Sequence, residues 1–313
     1  MMEGRAKVFI GLGGNFVRAV PDWPAAEAAM RRLKLTVAVS TKLNRGHLVH
    51  GQQALILPVL ARSDIDMQAN GRQSITVEDS MSMVHASHGL VTPPSEHLKS
   101  EVAIVCGMAK ATLPDCGIDW DYFVADYNRI RDKIEAIFPD LFVDFNQRIR
   151  QPGGFHLNTP PRQRVWNTAT GRANFLVFPG VREDEAVSDP SALRLATLRS
   201  HDQYNTTIYT LDDRYRGVFG GRMVVFMNET DMQARGIAEG DLVEIESLAD
   251  DKHRVVGRFW AKTHRIAVGS VGAYYPETNP LFAAGLSRCE ERHTGGEVNP
   301  GSGSPPGAAT RSG

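Results

Sequence analysis

The sequence predicts an α/β protein in which a parallel-sheet region is followed by an all-β region of barrel or sandwich type. Three observations carry this. Between residues 7 and 60, short β-branched apolar runs alternate with a segment of helical spacing, which favours a parallel sheet with crossover helices. Beyond residue 193 the period changes to two and turn residues separate short strands. The 313 residues leave room for two such regions.

The first strand is read at Lys7–Leu12, and it stops at Gly13-Gly14-Asn15. A helix follows over Ala25–Leu33, then a buried strand at Leu35–Ser40 and a third at Ala54–Leu60. Ser74–Asp79 reads as an edge strand in a stretch broken by Gly71, Gly89, Pro93 and Pro94. Two helices are expected next, over Glu96–Leu113 behind an N-cap at Ser95, and over Trp120–Phe138. Residues 1–150 thus form the α/β region. The Pro- and Gly-rich residues 151–192 are a linker, and 193–285 form the β domain. Its strands are expected at Arg194–Leu198, Met223–Met227, Leu242–Ser247 and Arg254–Phe259. Residues 286–313, rich in Gly, Ser, Pro and Thr, are expected to be disordered.

Composition narrows the function classes. Lys plus Arg total 35 against 36 Asp plus Glu, so no global charge favours nucleic acid or an anionic membrane. Cys106, Cys116 and Cys289 form no metal or iron–sulfur spacing, and their sparse use points to a reducing compartment. No apolar run approaches the ~20 residues of a membrane span, and the first residues carry no export-signal pattern. The expectation is a cytoplasmic protein.

Four motifs bear on chemistry. Gly11-Leu-Gly13-Gly14-Asn15 directly after a first strand lets backbone N–H groups approach a phosphate. The NAD fingerprint requires a glycine where Phe16 stands and an acid where Ser40-Thr41-Lys42 stands, so an NAD-type dehydrogenase is disfavoured. By itself the turn serves equally as a structural tight turn. His47/His50 and His85/His88 have a spacing that suits a metal on a helix, but lack a third ligand, and polar loop histidines are the favoured reading. Ser200–Thr207 is the densest polar run, either a set of donors and acceptors for a polar ligand or an exposed turn. Asn228–Ile245 reads as a helix stopped at Gly236 and a Gly240-Asp241 turn into a strand.

In this order, several stretches resemble the C-terminal part of the molybdopterin oxidoreductases, in the formate-dehydrogenase-like branch that includes acid-resistance-associated homologues. They are VFIGLGGNFVRAVPD, LTVAVSTKLNRGHLVHGQQALILP, ITVEDSMSMVHASHG, WNTATGRANF, LRSHDQYNTTIYTLDDRYRGVFGGR, NETDMQARGIAEGDLVEIES and GAYYPETNPL. The resemblance spans roughly residues 7 to 282. It implies an incomplete parallel-sheet dinucleotide-binding domain followed by a C-terminal β-barrel of double-psi type. The cofactor it implies is one molybdenum held by two molybdopterin guanine dinucleotides. It further implies phosphate contacts from Gly13, Gly14 and Asn15, and ribose or guanine contacts from Ser40, Thr41 and Lys42. Asp79 and Ser80 fall in a further cofactor-facing segment. In the barrel, Arg199, His201, Gln203, Tyr204, Asn205 and Thr206 are implied to meet the pterin and phosphates, with Tyr275 and Asn279 from the final motif.

In that family the iron–sulfur cysteines, any protein ligand to the metal and the other dinucleotide domain lie upstream, so neither a metal ligand nor a catalytic residue is assigned in this chain. An iron–sulfur cluster is expected only if an upstream half carries one. After Leu281 the family continues into a final strand. Here the sequence passes to Ser287–His293 and a Gly/Ser/Pro tail, which reads as a truncated or frame-shifted end with an open barrel edge. The functional expectation is a cofactor-binding fragment of an oxidoreductase whose partner is the upstream half. The alternative is an inert remnant or a stand-alone dinucleotide-binding protein.

Overall fold

The apolar runs of the first region become strands of one parallel sheet, as their β-branched composition and intervening helix require. The structure, a computed structural model, describes residues 1–175, 191–248 and 253–283. The expected disordered tail at 286–313 and residues 176–190 of the expected linker lie outside the described residues. Contacts divide the chain into two units: Met1–Phe16 with Glu27–Asp189, and Val17–Ala26 with Pro190–Gly313.

In the first unit, β1 (Val8–Leu12), β2 (Leu35–Ser40) and β3 (Gln53–Pro58) pair in parallel in the order β1-β2-β3. Short helices α1 (Phe16–Ala19) and α2 (Trp23–Arg31) lie between the first two strands in the chain. Val37 and Val39 are buried with Val59 and pack against Leu57 and Ile104. Two-residue strands β4 (Met67–Gln68) and β5 (Gly71–Arg72) make a small hairpin. Next come β6 (Ile75–Glu78) and β7 (Met83–Ser87), and β7 also pairs with the later β8 (Phe155–His156). The order β6-β7-β8 makes β6 an edge, as its sequence predicted.

The helices depart from expectation in two places. α3 is Glu101–Thr112, capped by Ser100 rather than Ser95. Lys99 is drawn into a bridge with Val59, and its carbonyl accepts from the Leu60 N–H, so the preceding residues are not free to coil. The expected helix at 120–138 is broken into α4 (Trp120–Ala125) and α5 (Asn128–Ile137). At the break, the Tyr127 N–H donates to Gln73 Oε1 at 2.8 Å and its hydroxyl donates to Asp66. A tertiary acceptor thus outcompetes the helix for that amide. α6 (Phe145–Arg148) closes a core of Val84, Phe145, Ile149 and Phe155.

The second unit is a five-stranded mixed sheet. β9 (Arg194–Leu198) is followed by a hairpin of β10 (Gln203–Tyr204) and β11 (Thr207–Ile208), then β12 (Val224–Met227) and α7 (Glu229–Ala234). β13 (Leu242–Ser247), β14 (Arg254–Thr263) and β15 (Ser270–Tyr274) complete it, in the order β13-β14-β12-β15-β9. The strand β15 was not expected from sequence. Its small residues Ser270, Gly272 and Ala273 weaken the β signal, yet it pairs on both sides, with β12 and β9. The central strand β12 is covered on both faces. Val225, Met227, Ala261 and Ala273 pack with Met232 of α7, and Val224, Phe226 and Tyr274 pack with Val218. Gly236 ends α7 at φ +64°, as the sequence predicted, and Asn228 caps its start through the Thr230 N–H at 2.9 Å. No helix among the described residues is long and apolar enough to cross a membrane.

Candidate functional site

In the first unit, the loops after β1 and β2 meet at the carboxyl end of the parallel sheet, the place where open α/β sheets take ligands. Gly13 and Gly14 turn the chain with φ of +69° and +74°, and an added Cβ at either would meet nothing within 4 Å. The Gly13 N–H is spent on Val39 O at 2.8 Å, while the N–H groups of Gly14 and Asn15 have no protein acceptor among the described residues. Asn15 Oδ1 is buried without a hydrogen-bond partner.

The second loop holds the first. Asn44 Nδ2 donates to Gly14 O at 3.2 Å, and Asn44 Oδ1 accepts from the Gly46 N–H at 2.8 Å. A Cβ on Gly46 would stand 2.7 Å from Asn15 Oδ1 and 2.9 Å from Asn44 Oδ1, so a larger residue there must displace the ends of both side chains. Ser40 Oγ donates to Lys42 O at 2.7 Å, and the exposed Lys42 ammonium has no ion-pair partner among the described residues. His47 Nδ1 accepts from the Asn44 N–H at 3.2 Å, a loop-shaping bond. No group of three or more His, Cys, Asp or Glu able to hold a metal occurs among the described residues.

Asp79 and Ser80 lie at the tip between β6 and β7. Asp79 Oδ1 accepts from the N–H groups of Met83 at 3.0 Å and Met81 at 2.8 Å, which hold its carboxyl below the ordinary value.

In the second unit, the polar run after β9 folds into the β10–β11 hairpin, with Asn205 at its turn in the left-handed region, φ +50°. Arg222, nearly fully buried, fastens the base of this loop. Its guanidinium grips Glu277 through Nε at 2.6 Å and Nη2 at 3.1 Å, and it donates to Ser200 Oγ, Gln203 Oε1 and Tyr275 O. Gln203 Nε2 donates to Asn205 O at 2.7 Å and Tyr275 O at 2.6 Å, so both ends of that carboxamide serve the loop itself. A buried acid, Asp213, accepts from Arg216, Tyr274 and His201. Burial pushes its carboxyl up, but these hydrogen bonds outweigh burial and hold it below the ordinary value. Burial and the bond to Asp213 push the Tyr274 hydroxyl up, so it stays a donor. Around this frame, Tyr204, Tyr209, Tyr215 and Phe219 are exposed, with Arg199 bonded to Asn205 Oδ1 at 2.9 Å.

Residues 193–304 match the family model of the molydopterin dinucleotide binding domain. The chain is 49% identical over 282 residues to Protein YdeP of Escherichia coli K12, covering 89% of this chain and 37% of that protein. It is 50% identical over 288 residues to an "uncharacterized oxidoreductase" of Mycobacterium tuberculosis H37Rv, covering 90% of this chain and 36% of that protein. The chain is similar to the C-terminal part of the molybdopterin oxidoreductases, whose dinucleotide-binding domain it carries. It spans little more than a third of the length of these relatives. Among solved structures, acetylene hydratase from Pelobacter acetylenicus shares the fold, with a TM-score of 0.53 at 12% identity over 86% of this chain and 37% of that one.

The two loop systems sort the sequence-derived residues. Gly13, Gly14 and Asn15 come together with the Ser40–Lys42 loop, and Arg199–Thr206 form one hairpin. Asn279 is buried, and its Nδ2 donates to Arg18 O at 3.0 Å and Ala19 O at 3.1 Å, holding the segment 17–26. Sequence reasoning missed Asn44, Gly46, Asp213, Arg216, Arg222 and Glu277. For Asp213, Arg216 and Arg222 the three arginines and two acids of LDDRYRGVFGGR were the available signal, but nothing in their spacing says which are buried.

Proposed function

We propose that this chain contributes walls of a molybdopterin guanine dinucleotide site to a formate-dehydrogenase-like oxidoreductase. The observation that carries the reading is the loop held by Arg222, in a region matching the dinucleotide-binding family. A buried cation and a buried acid fix the loop, while aromatic rings and Arg199 stay open to solvent. Such an array suits a flat, polar heterocycle and its phosphates. The residues present fit the group. The N–H groups of Gly14 and Asn15, Asn15 Oδ1 and the Lys42 ammonium, none of which has a partner among the described residues, answer a phosphate and its attached nucleoside.

In this reading Gly13, Gly14 and Asn15 hold phosphate, and Ser40, Thr41 and Lys42 meet the ribose or guanine. Arg199, His201, Tyr204, Asn205 and Thr206 meet the pterin, Gln203, Tyr275 and Asn279 keep that wall in shape, and Asp79 and Ser80 face the cofactor from the hairpin tip. The five-stranded sheet is then the described part of a double-psi barrel. Two dinucleotides sharing one molybdenum supply the redox chemistry, and the protein binds and orients them. The remainder of a relative-length polypeptide, with an iron–sulfur cluster if it carries one, is the partner, in the cytoplasm. Parallel sheets are normally covered on both faces. Val8, Ile10 and Leu12 of the edge strand β1 are each 50% exposed, a surface suited to such cover.

The test is co-expression of this chain with the remaining two-thirds of a relative-length polypeptide, followed by metal and pterin analysis of the purified complex. Stoichiometric molybdenum and guanine dinucleotide are expected. A folded complex lacking both overturns the reading, and nucleotide or pterin without molybdenum favours a stand-alone binding protein.

A further inference from the structure

We propose that Asp213 is a positioning residue that keeps the hydrogen of the neutral His201 ring on Nδ1, so that an unprotonated Nε2 faces the ligand as a hydrogen-bond acceptor. The two oxygens of Asp213, in a side chain 1% exposed, have separate tasks. Oδ2 accepts from Arg216 Nη1 at 2.7 Å and from the Tyr274 hydroxyl at 2.9 Å, and these two donors set the plane of the carboxylate. Oδ1 faces His201 Nδ1 at 2.9 Å. An ionised carboxylate only accepts, so Nδ1 carries the hydrogen.

Arg216 Nη1 also lies 3.4 Å from Nδ1, and a donor there would ask for a lone pair instead. The shorter contact decides, because Arg216 Nη1 already has Asp213 Oδ2 and Arg199 O, the latter at 3.1 Å, as acceptors. The Tyr215 ring packs on the imidazole with centroids 4.3 Å apart and limits its rotation. A neutral imidazole has one N–H, which leaves Nε2 with its lone pair. His201 Nε2 has no partner among the described residues, in a side chain 43% exposed. The ligand chemistry this selects is a heterocycle offering an N–H donor, which a pterin does. That part rests on the function proposed above, whereas the tautomer does not.

The experiment is long-range proton–nitrogen NMR on the full chain carrying nitrogen-15 histidine, at neutral pH, with a parallel fluorescence titration using hydroxymethylpterin. The wild type and Tyr274→Phe are expected to show His201 protonated at Nδ1. In Asp213→Asn the carboxamide turns its oxygen to Arg216 and Tyr274 and its NH2 to Nδ1, so the tautomer inverts to Nε2–H. Pterin binding then weakens about tenfold, the loss of one hydrogen bond. A wild-type ring protonated at Nε2 overturns the proposal even if the Asn variant does not fold, and so does an Asn variant with an unchanged tautomer. An Nδ1–H wild type that does not bind the pterin leaves the role of Asp213 standing and overturns the cofactor reading.

Discussion

After β1 the chain turns on Gly13 and Gly14, with one backbone bond to Val39 and one carboxamide bond from Asn44. After β9 it turns inside a web in which Arg222 alone reaches Glu277, Ser200, Gln203 and Tyr275. The first loop is shaped by what its residues lack, namely side chains, and it leaves N–H groups uncommitted. The second is shaped by buried ionic groups, and it leaves exposed aromatic rings and His201 Nε2 open to a ligand. A loop built on backbone tolerates most substitutions except those that add bulk. A loop built on a buried charge fails when that charge is removed.

That contrast is broken most severely by Arg222→Ala. It leaves Glu277, whose side chain is 17% exposed, without its guanidinium, together with several unpaired loop acceptors. A loss of about 3–5 kcal/mol is expected in urea denaturation of the second unit. Asp213→Asn comes next, at about 1.5–3 kcal/mol, because hydrogen bonds to a charged acceptor become ordinary ones. The same variant sharpens the comparison through pH. The Asp213 carboxyl is held below its unfolded value, so its contribution is present above the ordinary carboxylate pKa of about 3.9 and is lost as pH falls through the lowered one. Wild-type stability of the second unit therefore declines in acid, and the Asn variant shows a flatter acid limb.

In the first unit the expected costs are smaller. Gly46→Ala pushes against the ends of Asn15 and Asn44, side chains able to shift, and about 1–2 kcal/mol is expected. Asn44→Ala removes the bond to Gly14 O and the cap on the Gly46 N–H, for about 0.5–1 kcal/mol in the same measurement. Faster amide exchange at Gly13, whose N–H bonds Val39 O, would accompany it. If Asn44→Ala cost more than Arg222→Ala, the division between the two loops would be wrong.

The strands were largely legible because each depends on local pattern. Leu35–Ser40, Arg194–Leu198 and Leu242–Ser247 fall at the residues expected. β15 was not, because Ser270-Val-Gly-Ala-Tyr274 gains its pairing from strands on either side rather than from its own composition. The break at Tyr127 was invisible for the same reason: its competing acceptor, Gln73, is 54 residues away in the chain. Candidate site residues were legible as glycine turns and as a polar run. The residues that hold them in place, Asn44, Asp213 and Arg222, were not.

The alternation of strand and helix, the change to short strands after residue 193, the glycine turn at Gly13-Gly14 and the family resemblance can all be read along the chain. Periodicity, backbone freedom and motif order are all properties of neighbouring residues. Folding alone buries Asp213 and Arg222, commits the carboxamides of Gln203 and Asn279 to the protein, and groups Val17–Ala26 with the second unit. A charge is buried only where distant partners repay its desolvation, and the chain brings those partners together only when it folds.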